Sequence, residues 1–331
     1  MKKNIVMLLF ALLFATLSAP PVSDALTVGG AVRQPLNLTN EDLARFVATE
    51  VKLTDFTSSK QFNGVFVYKG VPLQALLGTA VIQKAEGGFN KQIDLAIVVR
   101  NKERKVAVLS WGEVFYRNPS NVIVAFTADP VMPHHAKGCD KCHAQKEYQP
   151  VLDKLARKVG LPKLILANDF FSDRSLEDII SIEVVDLKRG SAKKPDPEPT
   201  STKFTVTDSS GKITEFTNLP KYRQIKVDLK VVGDGKGFHG YKQFEGVSIR
   251  ELLEGLNVRN EPDKAMLVTA TDGYQGLFSL GEIFLSPLGE RIIISEQKDG
   301  TVKSFKVVIP DDTAADRSIR TINKIEIFSL K

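Results

Sequence analysis

The apolar and polar positions of this chain run through one series of elements and then through the same series again. Tyr68-x-Gly70-Val71-x-Leu73-x-x-Leu76-Leu77 returns as Phe244-x-Gly246-Val247-x-Ile249-x-x-Leu252-Leu253, at an offset of 176. The pattern predicts a strand end and a tight Gly turn running into a short helix with Leu at helical spacing. Ser110-x-Gly112-Glu113-Val114-Phe115 returns as Ser279-x-Gly281-Glu282-Ile283-Phe284, at an offset of 169. In each copy it follows an apolar, β-branched run, Leu95 to Val99 and Met266 to Thr269, which reads as a buried strand. Asp173-Arg174-Ser175-Leu176-x-x-Ile179-x-x-Ile182-Glu183-Val184 returns as Asp316-Arg317-Ser318-Ile319-x-x-Ile322-x-x-Ile325-Glu326-Ile327, at an offset of 143. Each copy then ends in an alternating strand.

Three ordered matches predict two homologous domains, residues 26–187 and 203–331. Between them, residues 188–202 are rich in Lys, Pro, Ser and Thr and read as a semi-extended linker. The fall in offset from 169 to 143 means that the first copy carries 26 more residues between its second and third matches. The extra stretch occupies about 130–160; in the second copy Lys298-Asp299-Gly300 closes the same gap as a short turn. Within it, Tyr148, Val151, Leu152, Leu155 and Val159 share a helix face, with Gly160 as the expected C-cap and Pro162 beyond it.

The repeated pattern resembles the sulfite-oxidase-type molybdopterin-binding domain. The aromatic-x-Gly-Val turns carry the resemblance, together with Thr271-Asp272-Gly273-Tyr274 leading into Ser279-Leu280-Gly281-Glu282, and the closing Lys324-Ile325-Glu326-Ile327. The resemblance covers both domains and implies an α+β fold, two tandem sulfite-oxidase-like domains with mixed sheets and short helices. In enzymes of that family a cysteine thiolate ligates molybdenum upstream of the Gly-Val turn. That places it near Lys52 to Phe66 or Lys226 to Gln243, and neither region holds a cysteine. Molybdopterin is therefore not expected, and a molybdopterin-dependent oxidoreductase ranks behind two other readings. Whether the chain is an enzyme stays open.

Candidate chemistry lies in the extra stretch. His134-His135-Ala136-Lys137-Gly138-Cys139-Asp140-Lys141-Cys142-His143 holds both cysteines and three of the four histidines. Cys139-x-x-Cys142-His143 is the pattern of c-type haem attachment: two thiols spaced for the two vinyl groups, and His143 as the proximal iron ligand. His134, His135 or Met132 could supply the sixth ligand. The same side chains could instead form a Cys/His zinc site, or the cysteines a dithiol–disulfide pair. His239, flanked by glycines, reads as a turn or surface residue. Trp111 reads as core packing. Asp169, Asp173 and Glu177 read as a structural turn and cap, because Asp173-Arg174 recurs at Asp316-Arg317. Gly233-x-Gly235-x-Gly237 lacks the context of a nucleotide loop.

The N-terminus and the charge place this chemistry. Lys2 and Lys3 precede an apolar run, Ile5 to Leu17, too short for a membrane span, and Ser23-Asp24-Ala25 offers a cleavage site. Residues 1–25 read as a signal peptide cut near Ala25, so the mature chain is expected in the periplasm or otherwise exported, with no membrane span. The chain has a net charge of +6, or +5 without Lys2, Lys3 and Asp24. For an exported chain that points away from nucleic acid. Pro133 to Gly160 carries six Lys/Arg against three Asp/Glu, which could steer an acidic redox partner protein. The leading expectation is electron transfer through a single haem c. The alternative is a non-catalytic binding or assembly module with a Cys/His metal site.

Overall fold

The computed structural model describes residues 25–85, 89–131, 144–187, 201–233, 237–299 and 302–331. Among them the fold is mixed α+β, with four sheets and a few short helices. The expected signal peptide, most of the linker and the whole Cys139-Cys142-His143 motif with Met132, His134 and His135 lie outside the described residues.

In the first half, strands β1 (Leu26–Gly30), β2 (Leu36–Leu38), β5 (Ala96–Asn101), β6 (Val106–Ser110) and β9 (Ile179–Val185) form one sheet in the order β2-β1-β9-β5-β6. Strands β3 (Thr49–Phe56), β4 (Phe62–Pro72), β7 (Val122–Pro130) and β8 (Lys163–Leu166) form the other, in that order. The second half repeats both. Strands β10 (Phe204–Thr207), β11 (Ile213–Phe216), β14 (Lys264–Ala270), β15 (Gln275–Ser279) and β18 (Ile322–Ser329) run β11-β10-β18-β14-β15. Strands β12 (Gln224–Gly233), β13 (Gly237–Ser248), β16 (Ile293–Asp299) and β17 (Val302–Val308) run β12-β13-β16-β17. Each half encloses its own core. Helix α2 (Leu73–Ala80) buries Leu73, Leu76, Leu77 and Ala80 in the first, as its i, i+3, i+4 spacing requires; α5 (Ile249–Gly255) does the same in the second.

Two local expectations change. Gly70 and Gly246 are not turn residues; they sit inside β4 and β13. Glycine is needed there because the neighbouring strand passes too close for a side chain. A Cβ would lie 2.5 Å from the Val124 carbonyl oxygen at Gly70, and 2.1 Å from that of Ile294 at Gly246. The helix in the extra stretch, α4 (Gln145–Leu155), ends at Ala156 rather than Gly160. Arg157 turns out of the helix to ion-pair with Asp55 and Glu177, and the Glu177 carboxylate then accepts from the Gly160 N–H at 2.9 Å.

The halves meet through the outer faces of the two five-stranded sheets. Ile97 and Val99 of β5 point into the first core, while Ala96 and Val98 join Val108, Ala265, Leu267 and Leu277 between the halves. That is why β5 is apolar at successive positions: both of its faces are covered. The edges interlock reciprocally. Phe170 N–H donates to the Leu285 carbonyl, and Thr313 N–H to that of Tyr116, both at 2.9 Å.

The centre of this contact is polar. Ser110 caps helix α3 (Trp111–Phe115) and Ser279 caps α6 (Leu280–Phe284), each accepting from the backbone of its own Glu. Each hydroxyl then donates to the glutamate of the other half, Ser110 to Glu282 at 2.6 Å and Ser279 to Glu113 at 2.9 Å. Arg174 pairs with Glu113 and Asp169 and donates to Ser279 at 3.0 Å. Arg317 pairs with Glu282 and Asp312 and donates to Ser110 at 3.0 Å. The two guanidiniums cross over each other's helix starts. A Cβ on Gly112 would meet Arg317, and one on Gly281 would meet Arg174, at 2.2 and 2.3 Å. The repeated Ser-x-Gly-Glu and Asp-Arg-Ser motifs are therefore two parts of one lock between the halves.

Candidate functional site

The repeat supplies a natural comparison, because one position of the fold holds a buried lysine in both halves. Lys163 begins β8, and Lys306 occupies the matching place in β17. Both emerge beside the hairpin formed by the first two strands of the four-stranded sheet. What surrounds them differs completely.

In the first half the lysine is neutralised. Lys163, 1% exposed, donates to Asp55 at 2.7 Å, to Glu177 at 3.1 Å and to the Tyr68 hydroxyl at 3.1 Å. Arg157, delivered by the end of α4, joins both carboxylates. Ser172 and Asn63 donate to the other oxygen of Asp55. Burial opposes every charge here, but the pairing outweighs it. Lys163 is held above its ordinary range and Asp55 and Glu177 below theirs. Two cations and two carboxylates thus pair off around this position.

In the second half every partner is exchanged. At the offsets of 176 and 143, Asp55 becomes Val231, Tyr68 becomes Phe244, Glu177 becomes Arg320 and Phe66 becomes Lys242. No counterpart of α4 is present in the sequence. Lys306 is 7% exposed, with its ammonium 4.3 Å from the centre of the Phe244 ring. No carboxylate among the described residues pairs with it. Burial, with Arg320 and Lys242 adding repulsion, pushes it from 10.5 down to about 8.

The result is a cleft of about 340 Å³ with Lys242, Lys306 and Arg320 on one side and Leu229, Val231 and Val232 on another. Lys91 from the first half and Asp272, Tyr274 and Asp316 complete it. Asp316 is already engaged: Lys91 pairs with it, and the Tyr116 hydroxyl donates to it at 2.9 Å. Among the described residues, Lys242, Lys306 and Arg320 thus line the cavity without an ion-paired acid. An apolar wall with convergent donors is the form of a small-ligand site, and its charge selects an anion.

The cysteine-ligated molybdenum group that the resemblance implies does not fit here. The wall nearest the expected ligand positions is Leu229, Val231, Val232 and Gly233, and the chain's only cysteines are Cys139 and Cys142. Among the described residues no three His, Cys, Asp or Glu gather as metal ligands.

The remaining sequence-selected residues fall elsewhere. Glu177 belongs to the Lys163 cluster, and Asp169 to the lock between the halves. Asp173 accepts from the Ser58 backbone and hydroxyl, so the three acids form no common site. Trp111 stacks on Phe115 at 4.7 Å and packs against the first core. His239 is exposed near the start of β13, in a strand rather than a turn. Helix α4 packs on β4: Leu155 lies over Gly64, and Lys154 and Arg157 lie over the rings of Phe62 and Phe66. The cleft itself escaped sequence reasoning, although its signal was present. Glu177 facing Arg320 in the aligned repeats is a charge reversal beside a retained lysine.

The fold and site thus define a mixed α+β protein of two interlocked halves with a cleft in the second that is lined by more cations than acids. No protein-family profile matches the chain, and no curated protein matches it. Among solved structures the chain is similar to the crystal structure of the sulfane dehydrogenase SoxCD from Paracoccus pantotrophus, at 13% identity and a TM-score of 0.33, over 93% of this chain and 77% of that one. A superposition this loose carries no information about chemistry. Among the described residues no helix is long and apolar enough to cross a membrane.

Proposed function

We propose that this chain is an exported redox protein that transfers electrons through one covalently attached c-type haem on a sulfite-oxidase-like scaffold of two tandem domains. The observation that carries the reading is the complete Cys139-x-x-Cys142-His143 pattern in a chain with no other cysteine. When bound, the haem would supply one-electron chemistry at its iron. Cys139 and Cys142 would hold the macrocycle, His143 would ligate the iron, and His134, His135 or Met132 would complete the ligand set. The anchoring of the flanking chain supports this reading. Val131 N–H donates to the Val65 carbonyl at 2.8 Å, and α4 docks on β4, so the stretch between them starts and finishes on one sheet. Function carried on a loop of a rigid scaffold follows the general rule.

Protein produced with a signal peptide and the haem-attachment machinery is expected to keep its haem through a denaturing gel and to give a c-type pyridine haemochrome. Cys139→Ser with Cys142→Ser is expected to abolish both. A colourless wild-type protein holding stoichiometric zinc would overturn the haem reading in favour of a Cys/His-stiffened binding or assembly module.

The cleft favours a second role, as a binding module for a small oxyanion or carboxylate. Its pH dependence follows from Lys306. The ammonium form binds the anion and is populated below about 8. Affinity for inorganic phosphate or sulfate, measured by calorimetry at fixed ionic strength, is expected to decline as pH rises through that value, by up to about tenfold per pH unit. Affinity that is flat from pH 7 to 9.5 would exclude Lys306 as the anion's partner.

A further inference from the structure

The platform that carries α4 in the first half exists a second time, without an occupant among the described residues. At the offset of 176, Phe62 becomes Phe238, Gly64 becomes Gly240 and Phe66 becomes Lys242. Both glycines have positive φ, 125° at Gly64 and 90° at Gly240. The special backbone of the platform is therefore kept, and with it the flat spot that a bulky residue would fill. In the first half that spot is used: a Cβ on Gly64 would lie 3.2 Å from the Leu155 side chain. In the second, a Cβ on Gly240 would meet nothing among the described residues. Phe238 and Tyr241 pack edge to face at 5.3 Å and are 59% and 70% exposed. Two large aromatic rings displayed beyond the short stretch where β13 pairs with β16 mark a contact surface.

The platform is continuous with the basic cleft. Lys242 belongs to the hairpin and also lines the cleft with Lys306 and Arg320. The first half shows how one occupant serves both places. Leu155 covers the glycine, and Arg157, two residues on, reaches Asp55 and Glu177 beside the buried lysine. Charge decides what the second occupant must be. A second copy of α4 would bring Lys154, Arg157 and Lys158 against Lys242, Lys306 and Arg320, and like charges exclude it.

We propose that the β12–β13 hairpin docks an amphipathic helix of a partner protein, which sets an apolar residue on Gly240 beside the packed rings of Phe238 and Tyr241 and sends a carboxylate, two residues further on, to Lys242, Lys306 and Arg320. The helix takes the place that α4 takes in the first half, with the sign of its reaching residue reversed. Aromatic anchors supply affinity and the cations supply selectivity for an acidic partner. This surface does not depend on the haem reading, since no residue of 132–143 takes part.

The probe is a fluorescent peptide of residues 145–159 with Lys154→Glu, Arg157→Glu and Lys158→Glu; the unaltered peptide is its control. Anisotropy titration with the full chain is expected to show saturable binding of the acidic peptide and none of the control. Phe238→Ser and Lys242→Glu are each expected to weaken binding at least about tenfold. Both side chains are exposed, so a urea midpoint no lower than that of the wild type will confirm that the variants fold. Three results would overturn the proposal: no saturation at millimolar protein, binding that survives both substitutions, or binding lost with Lys242→Glu but not with Phe238→Ser. The last would reduce the site to an anion cleft alone. A haem stain on the same preparation reads the haem assignment separately.

Discussion

Arg317→Met is expected to cost about 3–5 kcal/mol of stability, and Arg174→Met a similar amount, measured as the shift in urea midpoint at pH 7. Both guanidiniums are fully buried, and each holds two carboxylates, Glu282 with Asp312 and Glu113 with Asp169. Methionine replaces most of the volume, so the loss is electrostatic. Removing one partner of a buried pair leaves the other charges without compensation, and that residue of charge dominates the cost. The cluster begins in deficit, because Arg117, Arg174 and Arg317 face four acids, Glu113, Asp169, Glu282 and Asp312. Burial pushes Asp169 up to about 6 despite Arg174, and also raises Glu282. A carboxylate raised in the folded state favours folding at low pH and loses that contribution as pH rises through its folded value. The Arg317→Met loss is therefore expected to shrink between pH 7 and 5, as the stranded acids take up protons. A cost under 1 kcal/mol at pH 7 would mean that the lock contributes specificity and not stability. Because the lock joins the halves, wild-type unfolding is expected as one transition.

The same substitution at the matched lysines is expected to have opposite signs. Lys163→Met strands Asp55 beside Glu177, with only Arg157 left as a cation, and should cost about 3–5 kcal/mol. Lys306→Met removes a buried ammonium that has no acid partner among the described residues and leaves an apolar side chain against Phe244. The folded state holds Lys306 from 10.5 down to about 8, so at pH 7 it opposes the charge that the unfolded chain carries freely. That penalty eases as pH rises through 8 and is gone above the unfolded value. Lys306→Met should thus raise stability by about 1–3 kcal/mol at pH 7 and less at pH 9.5. Equal losses at both sites would show that the second cleft has an internal counter-ion after all. A lysine retained against stability has the character of a binding residue.

Much of this fold could be read from linear spacing. The matched motifs marked the strands and helices that recur in both halves, and the apolar run at Leu95 to Val99 marked a buried strand. Two local readings missed because a neighbour in space overrode the local signal. Gly70 looked like a turn but makes room for the Val124 carbonyl. The helix after Ala144 should have run to Gly160 by periodicity, but Arg157 leaves it for Asp55, over a hundred residues earlier in the chain.

The candidate sites divide in the same way. The pattern read as a haem attachment site is visible in ten consecutive residues, because covalent attachment would need only thiols and an imidazole at fixed spacing. The lock and the cleft depend on charges brought together from distant segments. Arg174 and Arg317 read as turn residues beside an aspartate until the fold set each on the other half's helix cap. Coulomb energy depends on separation in space and on burial, and neither is a property of sequence order. The amino-acid sequence determined that the chain is built twice and where its cysteines lie. Only the tertiary structure decided that one half pairs its buried lysine with two acids while the other leaves that lysine without one among the described residues.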